Sequence, residues 1–120
     1  MRIVLKGRNV AVGEELEERV EKRFAKVARQ VSQLAVLDVV LREERNPSIH
    51  DSQVAEGTLH LKGITLHASA ASDSMVHSIN EMSDELARQV KRHRDKRRKR
   101  RKRRAQRAAK AAEHARTQAP

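Results

Sequence analysis

The stretch AEGTLHLKGITLHASA, residues 55–70, decides the fold of this chain. Apolar and polar residues alternate on both sides of Lys62-Gly63, a pair typical of a tight turn. The pattern predicts an antiparallel hairpin whose strands share one apolar face. That face carries Ala55, Gly57, Leu59 and Leu61 on the first strand and Ile64, Leu66, Ala68 and Ala70 on the second. An apolar sheet face must be covered by a second layer.

Two amphipathic helices flank the hairpin. Behind it, Ser72 or Asp73 suits a helix N-cap. Apolar residues then recur at three- and four-residue steps, at Met75, Ile79, Met82, Leu86 and Val90. Residues 14–32 form the other helix, with the apolar stripe Leu16, Val20, Phe24, Val27 and Val31. Acidic residues crowd the start of that helix and basic residues follow, an order that suits the helix dipole.

Two further strands complete the prediction. Residues 2–6 alternate in polarity, and so do residues from Val36 to about Glu44, where Leu37, Val39 and Leu41 share a face. Asn46-Pro47-Ser48 then starts a loop to about Ser52, and residues 7–13 form a connector. The order is β-α-β-β-β-α. It predicts a two-layer α+β fold in which both helices cover one face of a four-stranded sheet.

Charge divides the 120 residues into two parts. The chain has 27 Lys and Arg against 16 Asp and Glu, a formal net charge of +11. Residues 1–90 carry 12 basic and 14 acidic side chains, whereas residues 91–120 carry 15 and 2. From Arg97 onward no apolar side chain is larger than Ala, apart from the final Pro120. We therefore predict a folded domain over 1–96 and a basic low-complexity tail over 97–120, disordered when free.

Composition excludes several classes of function. There is no Cys, and Phe24 is the single aromatic residue, which disfavours thiolate sites and base-stacking modules. His60 and His67 lie on neighbouring strands but not directly opposite each other, so we expect no metal and no other cofactor. Neither a nucleophile elbow nor a phosphate-binding glycine loop is present, so we expect neither an enzyme nor a small-molecule substrate. No apolar run is long enough for a signal peptide or a membrane span, which predicts a cytoplasmic protein without a membrane partner.

The basic tail favours a polyanionic partner, and nucleic acid fits best. A solvated charge run that aids solubility and a localisation signal are the alternatives. A net charge of +13 on residues 91–120 exceeds what helix ends or solubility require.

Several ordered segments resemble the ribosome hibernation promoting factor family, which includes ribosome-associated inhibitor A. The first strand and turn is VLKGRNV (4–10), and the first helix contains RFAK (23–26). The hairpin contains TLHL (58–61) and LHASA (66–70), and the second helix contains DSM (73–75) and LARQVKRHRDK (86–96). The resemblance covers about residues 1–96.

The resemblance implies a fold similar to double-stranded-RNA-binding domains. It also implies binding to the whole ribosome, through the small subunit and its rRNA, in the channel of the A and P sites and mRNA. There the protein would silence translation by steric occlusion. The family's phosphate-contacting positions map onto Arg23, Lys26, Arg88, Lys91, Arg92, Arg94 and Lys96, with Arg8 and Asn9 as weaker candidates. From charge alone, we add a tail contact with rRNA through Arg97, Arg98, Lys99, Arg100 and Arg101.

Two features differ from the family pattern. Val76 stands where many members have an aromatic residue. Nothing after Lys96 resembles the C-terminal domain with which long members pair ribosomes, so we expect a short form that is a monomer off the ribosome. Two alternatives stay open: a general nucleic-acid-binding, nucleoid-associated protein that uses the basic tail, and an interaction adaptor that uses the open sheet face.

Overall fold

A computed structural model describes residues 1–46, 48 and 50–118 of the chain. Its elements follow the order β1 (Arg2–Arg8), α1 (Glu14–Gln30), β2 (Val36–Glu43), β3 (Gln53–Leu61), β4 (Ile64–Ser72) and α2 (Met75–Gln118). The predicted β-α-β-β-β-α order and α+β class are confirmed. Pro47, which the sequence places in the β2–β3 loop, lies outside the described residues, as do residues 119–120 of the tail.

The four strands form one mixed sheet in the order β1-β2-β3-β4. β1 runs parallel to β2, with Leu5 opposite Val39. The other two pairs are antiparallel, with Val39 opposite Gly57 and Gly57 opposite Ala68. The predicted hairpin turns at Lys62-Gly63, where Gly63 has a φ of +80°, a left-handed value that glycine adopts without steric cost.

Several element ends differ from the sequence prediction. β1 extends two residues beyond residue 6, β3 starts two residues before Ala55, β4 ends two residues after Ala70, and α1 ends two residues before residue 32. The strands are longer because their neighbours supply backbone partners: Arg42 pairs with Arg8 and with Val54, and Gln53 pairs with Ser72. Such partners come from distant parts of the chain, so local alternation does not reveal them.

The core lies between the helices and one face of the sheet. Its largest fully buried side chains include Phe24 of α1, Leu37 and Leu59 of the sheet, and Ile79 and Met82 of α2. They belong to a single hydrophobic cluster, so both apolar stripes cover the same sheet face. The opposite face carries the alternate positions of the strands, which are mostly polar but include Val4, Val36, Val40 and Val54, and it remains open.

The chain comprises two compact units, Met1–Val90 and Lys91–Pro120, and α2 contributes to both. In the first unit, the N-cap of α2 is Ser74 rather than the predicted Ser72 or Asp73. The Ser74 carbonyl accepts the first helical hydrogen bond from the Ser78 amide at 3.0 Å, and its hydroxyl accepts one from the His77 amide at 3.4 Å. Ser72 instead lies 2.6 Å from Ser78, oxygen to oxygen, and joins the end of β4 to the helix.

The second unit is helical through Gln118, beyond residue 97 where the sequence predicts that regular structure ends. The physical reason lies in the composition of this segment. Ala, Arg, Lys and Gln have high helix propensity, and no Gly or Pro occurs between Met75 and Gln118. Disorder of this segment in the free protein stays a prediction. None of the helices in the described ranges has the length and apolar content needed to cross a bilayer.

Candidate nucleic-acid interface

Two cations of α1 belong to the predicted interface, and their environments differ. Lys26 is exposed, and it makes no ion pair with any residue that the structure describes. The side chain of Arg23 is only 32% exposed. Lys26 therefore has its full charge available to a ligand, whereas Arg23 is already bound within the protein.

The Arg23 guanidinium holds α1 against α2. Its Nε donates a hydrogen bond to Ser83 Oγ at 3.1 Å, and one Nη donates to the Asn80 carbonyl at 3.2 Å. The same Nη forms an ion pair with Asp84. These bonds occupy one side of the guanidinium, so only its remaining N–H groups can reach an external phosphate.

On α2, the first unit contributes Arg88 to the predicted interface. Its side chain is 64% exposed, and its Nε and one Nη donate to Glu85 Oε2 at 3.0 and 2.8 Å. This is an exposed pair one helical turn apart, which contributes little to stability. A phosphate can therefore replace Glu85 as the partner of Arg88 at small cost.

The second unit carries the other predicted contacts on one helix. Lys91, Arg92, Lys96 and all side chains from Arg97 to Arg101 are exposed, and Arg94 is half-buried. Successive residues of a helix are rotated by about 100°, so this run of cations surrounds the helix axis. Asp95 is the one acidic residue between Lys91 and Ala112. The segment can therefore offer positive charge to phosphates on more than one side.

His60 and His67 lie on the open sheet face. The strand register puts His60 opposite Thr65 and His67 opposite Thr58, which confirms that the two rings are not directly opposite. His60 Nε2 lies 2.9 Å from Asp38 Oδ2, and His67 Nδ1 lies 2.9 Å from Thr58 Oγ1. No group of three potential metal ligands occurs in the part of the chain that the structure describes.

Sequence reasoning missed the internal role of Arg23. Its partners lie about sixty positions away in the chain, so neither spacing nor composition indicates them. It also missed that Arg42 is paired with Glu56 and Glu44 on the open face. A period-2 pattern does place Arg42 and Glu56 on that face, but only the register of β2 against β3 brings them together.

The strand order and the exposed cations on both helices define a class of α+β domains that present Lys and Arg from their helices. Comparison with known proteins identifies the family within that class. A family model described as "Sigma 54 modulation protein / S30EA ribosomal protein" matches residues 3–98, and this chain belongs to that family. The match ends at residue 98, so it does not extend over most of the basic tail.

Individual proteins agree with this assignment. The ribosome hibernation promoting factor of Salmonella typhimurium is 38% identical over 96 residues, which cover 80% of this chain and 96% of that protein. The N-terminal domain of Protein Y from Thermus thermophilus has a TM-score of 0.66 at 26% identity, covering 78% of this chain and 99% of that one. A ribosomal subunit interface protein from Coxiella burnetii has a TM-score of 0.67 at 19% identity, covering 79% and 99%, and supports the fold.

Proposed function

We propose that this protein is a ribosome hibernation factor that blocks translation by occupying the small ribosomal subunit. The observation that carries the proposal is the 38% identity with a ribosome hibernation promoting factor along 96% of that factor's length. The site proposed is the channel of the A and P sites and mRNA, where a bound domain excludes tRNA and mRNA by volume. No catalytic step and no cofactor is part of this mechanism.

In this proposal, phosphates of rRNA are contacted mainly by exposed cations of the helices. Lys26 and Arg88 act from the first unit, and Lys91, Arg92, Arg94 and Lys96 act from the second. Arg23 has a double role: it holds the two helices together and offers its remaining N–H groups to a phosphate. Such contacts supply affinity and orientation but read no base sequence.

The tail extends this contact in our proposal. Residues 97–101 are five consecutive cations, and their neutralisation by phosphates would release counterions into solution. Binding should then weaken steeply with salt. Six or more such contacts predict a loss of affinity on the order of 10³-fold between 50 and 200 mM salt.

The experiment that tests the function is co-sedimentation of the full chain with small subunits and with whole ribosomes. We would run it at about 150 mM salt, where the screening length is about 8 Å, with excess duplex DNA as competitor. Near-stoichiometric co-migration that tRNA reduces is the result expected. Co-migration that tRNA leaves unchanged would contradict occlusion of the tRNA sites.

The second candidate function is general nucleic-acid binding, as in a nucleoid-associated protein. The observation that favours it is the net charge of +13 on residues 91–120, which by itself has no preference for ribosomes. The same gradient separates the two candidates, because transfer of the protein to duplex DNA would replace the first proposal with the second. Off the ribosome we propose a monomer, which light scattering of the purified chain would verify.

A further inference from the structure

The open face of the sheet has an uneven distribution of charge. On this face, β1 contributes Arg2, Val4, Lys6 and Arg8 along one edge of the sheet. The remaining three strands contribute mainly polar side chains, Arg42 among them, together with Val36, Val40 and Val54. The three β1 cations are exposed, and we call them the β1 row.

The charged groups in the middle of this face contact one another. Asp38 contacts His60 at 2.9 Å, and Arg42 forms ion pairs with Glu56 and with Glu44. Burial lowers the pKa of Arg42, but its hydrogen bonds and the attraction of both glutamates outweigh burial and raise that pKa. Arg42 therefore offers no free positive charge to a partner, and the carboxylates beside it outnumber it.

The β1 row has no such compensation. Within residues 1–46, 48 and 50–118, no acidic group lies within ion-pair distance of Arg2, Lys6 or Arg8. Arg8 is directly opposite Arg42, whose charge is already balanced by the two glutamates. At about 3.3 Å per residue, the row extends for about 20 Å along an edge strand.

We infer that the β1 row is a second phosphate-contacting surface for RNA, on the side of the sheet opposite the helices. The inference rests on the proposed function, since it assigns a second contact to the same RNA partner. RNA is the occupant favoured by charge, because Arg2, Lys6 and Arg8 are exposed and make no ion pair with a described residue, although Val36 and Val40 lie opposite Arg2 and Lys6 on β2. The β1 row contains no ring on which a base could stack, so its contact is to the phosphate backbone. A protein bound on both faces would bridge two RNA segments.

Lysine footprinting on the full chain tests the inference. The free protein and its complex with small subunits are acetylated at about 150 mM salt, and modification is measured at Lys6, Lys26, Lys91 and Lys62. We expect Lys6, Lys26 and Lys91 to lose reactivity at least fivefold on binding, while Lys62 in the exposed β3–β4 turn keeps its reactivity. Protection of Lys26 and Lys91 with Lys6 unchanged would overturn the second surface and leave the proposed function intact. Failure of the protein to form a complex with small subunits would contradict both the second surface and the proposed function.

Two matched triple variants separate contact from general charge. Arg2→Gln, Lys6→Gln and Arg8→Gln remove three charges from the row. Arg19→Gln, Arg45→Gln and Lys62→Gln remove three exposed charges elsewhere that make no ion pair with a described residue. Each phosphate contact contributes about 0.7–0.9 to the slope of log affinity against log salt, so the first triple should reduce that slope by about 2. The second should change it by less than half as much. Equal slopes for the two triples would show that the β1 row acts only through net charge.

Discussion

Arg23 Nε donates a hydrogen bond to Ser83 Oγ at 3.1 Å and thereby connects α1 to α2 across sixty positions of sequence. The same side chain also contacts the Asn80 carbonyl and Asp84. A cation that the sequence assigns to an RNA surface is thus also part of the packing between the helices. This double role separates Arg23 from Lys26 on the same helix and leads to a first prediction.

Arg23→Ala and Lys26→Ala should affect stability and binding differently. Loss of the Arg23 hydrogen bonds should lower the free energy of unfolding by about 1–2 kcal/mol, because Ser83 and Asn80 lose a donor at a half-buried position. Lys26→Ala should change it by less than about 0.5 kcal/mol, because that side chain is exposed and makes no ion pair in the described part of the chain. Urea unfolding followed by circular dichroism measures both values.

Ribosome binding provides the second readout for this pair. Lys26→Ala should weaken co-sedimentation with small subunits while the domain stays fully folded. Equal losses of stability in the two variants would contradict the distinction. Arg23→Lys is a useful addition, because a single ammonium cannot reach the three partners with the geometry of the guanidinium.

Gly57 permits the close approach of α2 to the sheet, and Gly57→Ala should destabilise the domain. A Cβ at this position would lie 2.6 Å from Met82 Sδ and 3.4 Å from Leu86 Cδ2. The resulting overpacking should cost about 1–3 kcal/mol. Thermal unfolding measures this loss. Gly13→Ser is the control, because nothing lies within 4 Å of a Cβ there and Ser is a favourable residue at the N-cap of α1.

Ser78 joins α2 to the start of β3, and Ser78→Ala should be costly for its size. The fully buried Ser78 hydroxyl donates to the Gln53 carbonyl at 2.6 Å. Its removal leaves that carbonyl without this donor, which should lower stability by about 1–3 kcal/mol. Ser69→Ala on the exposed side of β4 is the comparison, for which we expect a change within about 0.5 kcal/mol. A Ser78→Ala protein as stable as Ser69→Ala would contradict the role of this hydrogen bond.

Neutralising the tail should reduce the salt dependence of ribosome binding. We would replace Arg97, Arg98, Lys99, Arg100 and Arg101 by Gln in the full chain. If all five contact phosphates, the slope of log affinity against log salt should fall by about 3.5–4.5. An unchanged slope and affinity would show that these five residues do not contact rRNA. That result would leave the proposed contacts of residues 1–96 untouched.

The helicity of the tail should depend on its partner. Like charges one helical turn apart repel, so we predict that residues 97–118 lose helix in the free protein at low salt and regain it on RNA. Circular dichroism of the free chain should then show less helix than two helices ending at Gln30 and Gln118 require, and added polyanion should raise the signal. Full helicity in the free chain would contradict the predicted disorder.

Much of the fold follows from local sequence patterns. The alternation over residues 55–70 and the turn at Lys62-Gly63 predict the hairpin, and the structure confirms its turn. The apolar stripes of both helices and the inward face of β2 are also correct, since Phe24, Leu37 and Leu86 are fully buried. The ends of β1 and β3 and the N-cap of α2 could not be predicted, because hydrogen bonds to distant strands or competing nearby serines decide them.

The properties of the candidate site likewise divide into those that follow from the sequence and those that depend on the tertiary structure. The sequence by itself determined the order of elements, the face that each buries and the concentration of positive charge after residue 90. These properties repeat over a few residues and need no distant partner. Only the tertiary structure decided which cations are already neutralised. It places Arg23 against Ser83 and Asp84, pairs Arg42 with Glu56, and leaves the β1 row without an ion pair among the described residues. The physical reason is that the available charge depends on strand register and helix packing, which bring together residues far apart in the chain.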